Sequence, residues 1–219
     1  MLALTVLDLA IVWLVPIAFL VALWLLASAV IYVLVHSRLE FDFKHDVRRK
    51  FDEKRGLPSG RDKLSFLYLA KVLLGDSCVQ AVLLYRISRF FANHRMRTLA
   101  EVVNSFSRLV THTDLSPWSN IAPGLYLYHG LGTVVGKGAT VGRNALICHG
   151  VSIGGGATLG DDVKVWAGAQ ILAKVSIGDR TEVSANAVVT TSFPADVILF
   201  GVPARQAGGK PTPATQPAS

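Results

Sequence analysis

The chain has 219 residues, a formal net charge of +7, 51% hydrophobic residues and a mean hydropathy of +0.43, enough length for one or two domains. Two cysteines in unlike contexts, Cys78 and Cys148, call for no disulfide framework and are read as small buried hydrophobes of a reducing compartment. The positive charge comes without a nucleic-acid motif, so it is read as adhesion to a membrane surface and attraction for an anionic cofactor.

In chain order, the first feature is an uncharged run of 25 residues from Ile11 to Val35, rich in Leu, Val, Ile and Ala. As a helix it would be ~37 Å long at ~1.5 Å per residue, more than the ~30 Å hydrocarbon core of a bilayer. Trp13 and Tyr32 stand near its ends, as interfacial aromatics do. No Lys or Arg precedes the run and Asp8 does, unlike a cleaved signal peptide. Residues 1–37 are therefore expected to be a single-pass transmembrane anchor. Arg38, Lys44, Arg48, Arg49, Lys50, Lys54 and Arg55 follow at once, and the positive-inside rule places the remainder in the cytoplasm.

Residues 38–63 read as a basic juxtamembrane linker. Leu39, Phe43, Val47 and Phe51 recur at i, i+4, which suggests a short amphipathic helix against anionic membrane lipid, with an ordinary solvated linker as the alternative. Gly56 to Gly60 marks a hinge. Residues 64–111 read as an α-helical region: Val79, Val82, Leu83, Ile87, Phe90 and Phe91 fit one apolar face, and a further helix covers Leu99 to Val110, its apolar residues read as core. Residues 208–219 lack periodic apolar positions and read as a disordered tail.

Residues 112–207 carry a different period. Val135, Val141, Ile147, Ile153, Leu159, Val165, Ile171, Ile177, Val183 and Val189 stand six apart, and the residue four places after each is nearly always small or β-branched. Helices repeat every 3.6 residues and flat strands every 2.0. A fixed period of six instead marks a parallel β-helix, whose short strands each bury one aliphatic residue before turning. One irregularity interrupts the beat. Ile121 and Leu127 keep the step, but the next aliphatic position is Val135, so two extra residues lie within Gly130 to Thr133, directly after His129. His149 follows Ile147 as His129 follows Leu127, so the two imidazoles are expected to stack on adjacent coils, with backbones ~4.8 Å apart. A third ligand at the same phase would be residue 167, which is Ala, so no metal is expected.

The stretch from Asp114 to Arg205 resembles the hexapeptide-repeat acyltransferases, in particular the serine acetyltransferase branch. The resemblance rests on Asp114, on Ile121-Ala122-Pro123-Gly124, on Tyr128-His129-Gly130-Leu131-Gly132 and on Gly201-Val202-Pro203-Ala204-Arg205, with Val79 to Phe91 similar to the branch's helical region. It implies a left-handed β-helix, acetyl-CoA as acyl donor, and a homotrimer whose donor groove lies between subunits; whether trimers pair stays open. It implies His129 as general base and Asp114 as the carboxylate that holds the other ring nitrogen. It implies donor contacts at Gly168, Ala185, Thr190, Pro203 and Arg205, with Arg205 meeting a phosphate. Backbone amides near Gly150 or Gly168 are candidates for the oxyanion donors.

Two departures bear on the acceptor. The serine enzymes carry Asp immediately before the catalytic His, where this chain has Tyr128. They also carry an inserted loop ending in a second His, whereas Ile153 to Leu159 runs on without insertion or His. Gripping a zwitterion without its counter-charges should cost several kcal/mol. Tyr128 and His149 are therefore expected to face a larger, more neutral acceptor. The expected function is a membrane-anchored O-acetyltransferase acting on a glycan or lipid-linked glycan hydroxyl. Serine O-acetylation and a non-catalytic β-helix scaffold are the alternatives.

Overall fold

The computed structural model describes residues 42–49 and 75–207. Helix α1 covers 42–49, α2 Ser77–Asn93 and α3 Arg97–Thr111; the remainder is a β-solenoid of about five turns. Three parallel sheets form its walls. The first stacks the strands that begin at Asp114, Val134, Ser152, Gln170 and Val188, the second those at Asn120, Thr140, Thr158 and Ser176. The third stacks Tyr126–Tyr128, Leu146–Cys148, Lys164–Val165, Glu182–Val183 and Ile198–Phe200, and Arg205–Ala207 closes its far edge antiparallel.

The six-residue beat becomes the interior. All ten of its aliphatic side chains are at most 2% exposed, from Val135 to Val189. The small residues between them, such as Ala139, Ala145, Ala157, Ala169 and Ala187, are fully buried where the wall bends. The corners need left-handed backbone. Gly132, Gly150, Gly168 and Asn186 supply it on one edge, and Gly124, Asn144, Asp162, Arg180 and Asp196 on another.

The first coil is longer than the rest. Asp114 pairs with Val134 and Tyr126 with Leu146, a step of 20 residues, while Val134 pairs with Ser152 and Ser152 with Gln170, a step of 18. Helix α2 seals this end of the solenoid, where backbone groups have no preceding coil to bond. The Tyr85 hydroxyl donates to Ser119 O and accepts from Ile121 N; Arg86 donates to Ile121 O and Ala122 O; Arg89 donates to Pro117 O.

Helix α1 adds a clamp. Asp46 accepts from Arg86 Nε at 2.9 Å, Arg86 Nη2 at 3.1 Å, Gly124 N at 2.7 Å and Leu125 N at 2.9 Å. Burial pushes its carboxyl up from the usual range, yet all four neighbours are donors and leave nothing to accept a carboxyl proton, so the pair is charged.

Three sequence expectations are corrected here. Phe43 and Val47 of α1 are buried in the protein core, so this amphipathic face meets α2 and the first coil rather than membrane lipid. The apolar face of α3 is not core: Val102, Phe106 and Leu109 are 59%, 54% and 73% exposed, because α3 packs through the small side chains of Ala100, Ser107 and Thr111. The expected single-pass membrane localisation gains no support either: among the described residues no helix is long and apolar enough to cross a membrane. The run from Ile11 to Val35, the Gly56–Gly60 hinge and the 208–219 tail lie outside the described residues.

Candidate active site

The two extra residues of the first coil fall between Tyr128 and Gly132. Tyr128 pairs with Cys148, yet Gly150 N already donates to Leu131 O, so His129 and Leu131 bracket the place that His149 holds on the next coil. The slack is taken up in a tight turn, in which Leu131 N donates to His129 O and His129 adopts φ of 61°. A non-glycine residue rarely sits there, and His is among those that tolerate it. Buried threonines pin the loop: Thr113 Oγ1 donates to Gly130 O at 2.9 Å, and Thr133 Oγ1 to Cys148 O at 2.9 Å.

The imidazoles of His129 and His149 are both exposed, with ring centroids 6.3 Å apart at an interplanar angle of 66°. The Tyr128 ring, 42% exposed, stands edge-on to His129 at 4.5 Å, and Tyr126 stands edge-on to Tyr128 at 5.9 Å. These side chains open onto a cleft of about 600 Å³. Tyr128, His129, Leu131 and His149 line its solenoid side, Asp76 and Cys78 its helical side. Asp76 caps α2, accepting from Cys78 N at 3.0 Å and Val79 N at 3.3 Å. The sequence signals that cap, an Asp before an amphipathic run, but gives no sign that it borders the same cleft as His129.

The remaining predicted residues fall in three places. Asp114 is bonded by Asn104 Nδ2 at 3.2 Å and meets Arg108 Nη1 at 3.5 Å; no hydrogen bond joins it to His129 among the described residues. Gly168 and Ala185 continue the His149 corner toward the C-terminus, since Gly168 N donates to His149 O and Asn186 N to Ala167 O. Glycine suits 168: φ is 71°, and a Cβ there would sit 2.2 Å from Asn186 Oδ1, which would have to turn away. Thr190, Pro203 and Arg205 are exposed at the far end. The chain brings them near one another there because Val188 N donates to Gly201 O and Val188 O accepts from Ala204 N. The amides of Gly150 and Gly168, expected as oxyanion donors, are both spent on bonds between coils, to Leu131 O and His149 O. Among the described residues no group of three His, Cys, Asp or Glu side chains could hold a metal ion.

A three-walled solenoid of six-residue steps with two imidazoles at a break in its first coil defines a class, the hexapeptide-repeat acyltransferases, and this chain resembles them. Residues 156–191 match the family model described as bacterial transferase hexapeptide (six repeats). Within that class the likeness is to serine acetyltransferases. The Helicobacter pylori serine acetyltransferase is 30% identical over 112 residues, 51% of this chain and 60% of that protein. The Synechococcus elongatus enzyme is 32% identical over 83 residues, 38% of this chain and 34% of that protein. The chain thus spans less than two thirds of the length of these relatives. The crystal structure of Brucella abortus serine acetyltransferase superposes with a TM-score of 0.71 at 26% identity, covering 81% of this chain and 72% of that one. That enzyme in complex with coenzyme A gives 0.71 at 26% identity, covering 82% and 71%. The Neisseria gonorrhoeae enzyme in complex with serine gives 0.69 at 26%, covering 79% and 70%. These likenesses also count against the membrane setting, since they point to serine acetyltransferases rather than to enzymes of lipid-linked glycans.

Proposed function

We propose that this chain is an acetyl-CoA-dependent O-acetyltransferase that works by direct transfer. His129 takes the proton of an acceptor hydroxyl while the oxygen attacks the acetyl thioester; the thiolate then leaves and recovers the proton from the imidazolium. A neutral imidazole suits this step because one ring nitrogen accepts a proton while the other keeps its own. The observation that carries the reading is the placement of His129 in an open cleft at the two-residue break of the solenoid, beside a second imidazole. Asp114 is the carboxylate assigned to orient the ring, on the condition that it exchange Arg108 for the imidazole once substrates are bound. The donor lies along the corner that Gly168 and Ala185 keep narrow, reaching Thr190, Pro203 and Arg205, where the guanidinium meets a phosphate. We infer that the coil is left-handed and the working unit a trimer with the donor groove between neighbours, in keeping with the family it resembles.

Free serine is the acceptor that the relatives favour. A second reading, a glycan or other neutral hydroxyl, is favoured by Tyr128, whose exposed ring occupies the place of the carboxylate that would hold an ammonium. The deciding experiment incubates purified full-length protein with acetyl-CoA and follows CoA release with free serine, with nucleotide sugars and with oligosaccharides. Rapid turnover of serine supports the first acceptor; turnover confined to saccharides supports the second. Tyr128→Asp should then lower the KM for serine about tenfold if the missing carboxylate is what limits its binding. CoA release that is unchanged in His129→Ala with every acceptor would sink the whole mechanism.

A further inference from the structure

Acyl transfer requires a donor aimed at the oxygen of the thioester carbonyl as it becomes an oxyanion. The glycine amides of the His149 corner do not meet that need, because Gly150 N and Gly168 N each bond a carbonyl of the preceding coil, at 2.9 Å and 3.0 Å. Gly132 N is spent likewise, on His112 O at 2.9 Å. With these three amides taken, an exposed side chain of the cleft is the natural source of the hydrogen bond.

We infer that the side chain is His149, and that its imidazole N–H holds the oxyanion while His129 acts on the acceptor. This rests on the acetyltransferase reading above and names a second catalytic residue for it. Three observations converge. The ring is exposed and lines the same cleft as His129. It stands at the head of a corner whose next two members are the small residues Ala167 and Ala185, so a donor laid along them meets His149 before His129. And the spacing fits. The attacking oxygen and the oxyanion share one carbon, and a base and a donor each ~2.8 Å from its own oxygen must face each other across several ångströms. The two ring centroids are 6.3 Å apart.

The step balances without any further reagent. The acceptor O–H proton passes to the imine nitrogen of His129, the new C–O bond forms, and the carbonyl electron pair moves to oxygen, where the His149 N–H bonds it. Collapse restores the carbonyl, breaks C–S, and returns the proton from His129 to the thiolate. A neutral imidazole suffices as donor, because one of its two nitrogens always carries a hydrogen.

The test compares His149→Ala, His149→Gln and Tyr128→Phe in the full-length chain. CoA release is measured with saturating acetyl-CoA and whichever acceptor the wild type turns over, and the Kd for CoA is measured by calorimetry. We expect His149→Ala to lower kcat about 100- to 1000-fold, with the CoA Kd unchanged within twofold. His149→Gln, whose carboxamide keeps an N–H, should recover at least tenfold of that loss, and Tyr128→Phe should lose far less kcat than His149→Ala. A His149→Ala protein that keeps its kcat but needs far more acceptor would overturn the proposal and make His149 an acceptor contact. A kcat lost in Tyr128→Phe instead would move the donor to the tyrosine hydroxyl and overturn it equally. If the wild type turns over no acceptor, the acetyltransferase reading itself fails and this proposal with it.

Discussion

Asp46→Ala should loosen the whole N-terminal end of the solenoid, although residue 46 lies far from His129 in sequence. The substitution leaves the Arg86 guanidinium, 4% exposed, without its counter-charge, and deprives Gly124 N and Leu125 N of their acceptor. Removing one partner of a buried pair typically costs about 3–5 kcal/mol, because the remaining charge stays desolvated. For chains of this size each kcal/mol moves Tm by about 2–4 °C, so a fall of about 6–20 °C is expected. Thermal unfolding followed by circular dichroism measures it, with Arg86→Met and the double variant alongside. If the stranded charge dominates, the double variant is more stable than Asp46→Ala alone, since the uncompensated guanidinium is gone. A Tm within 2 °C of wild type for Asp46→Ala, or a double variant that loses the sum of the two single effects, would refute the reasoning.

The other expectations concern the cleft and the wall. His129→Ala should lower kcat about 100- to 10,000-fold, the range of a lost general base, while the CoA Kd measured by calorimetry stays the same. Gly142→Ala should destabilise by about 1–3 kcal/mol in urea unfolding, because its Cβ would sit 2.3 Å from Gly160 O and the coils cannot separate without breaking their ladder. Tyr85→Phe should cost about 1–3 kcal/mol in the same assay, since it leaves the buried Ile121 N–H without its acceptor. Burial pushes the Cys148 thiol up, so the folded chain keeps a proton that the unfolded chain gives up in alkali. That contribution is present below the ordinary thiol range and is lost as pH rises through the raised value, so Cys148→Ala should lose less stability than wild type between pH 8 and 10.

Much of the fold was legible because a solenoid is nearly one-dimensional. Each six-residue step buries its own aliphatic residue against the coils above and below, so the period alone locates Val135 through Val189 in the interior. The two extra residues after His129 were legible for the same reason, and with them the placing of His129 beside His149.

What the sequence could not carry is any relation set by packing between elements with no shared period. The amphipathic pattern of residues 42–49 specifies an apolar face and not its partner; the tertiary structure places Phe43 and Val47 on protein and buries Asp46 against Arg86. The apolar stripe of α3 reads as core, yet the small side chains Ala100, Ser107 and Thr111 permit the closest approach to the rest of the chain and leave Phe106 and Leu109 in solvent. Likewise Gly150 and Gly168 look available as donors until the ladder between coils claims their N–H groups. Periodicity thus determined what lies inside the coil, because burial there depends on neighbours at fixed separations. The tertiary structure alone decided which helix face meets the protein, which charges pair, and which polar groups remain free for chemistry, because those depend on contacts between distant segments.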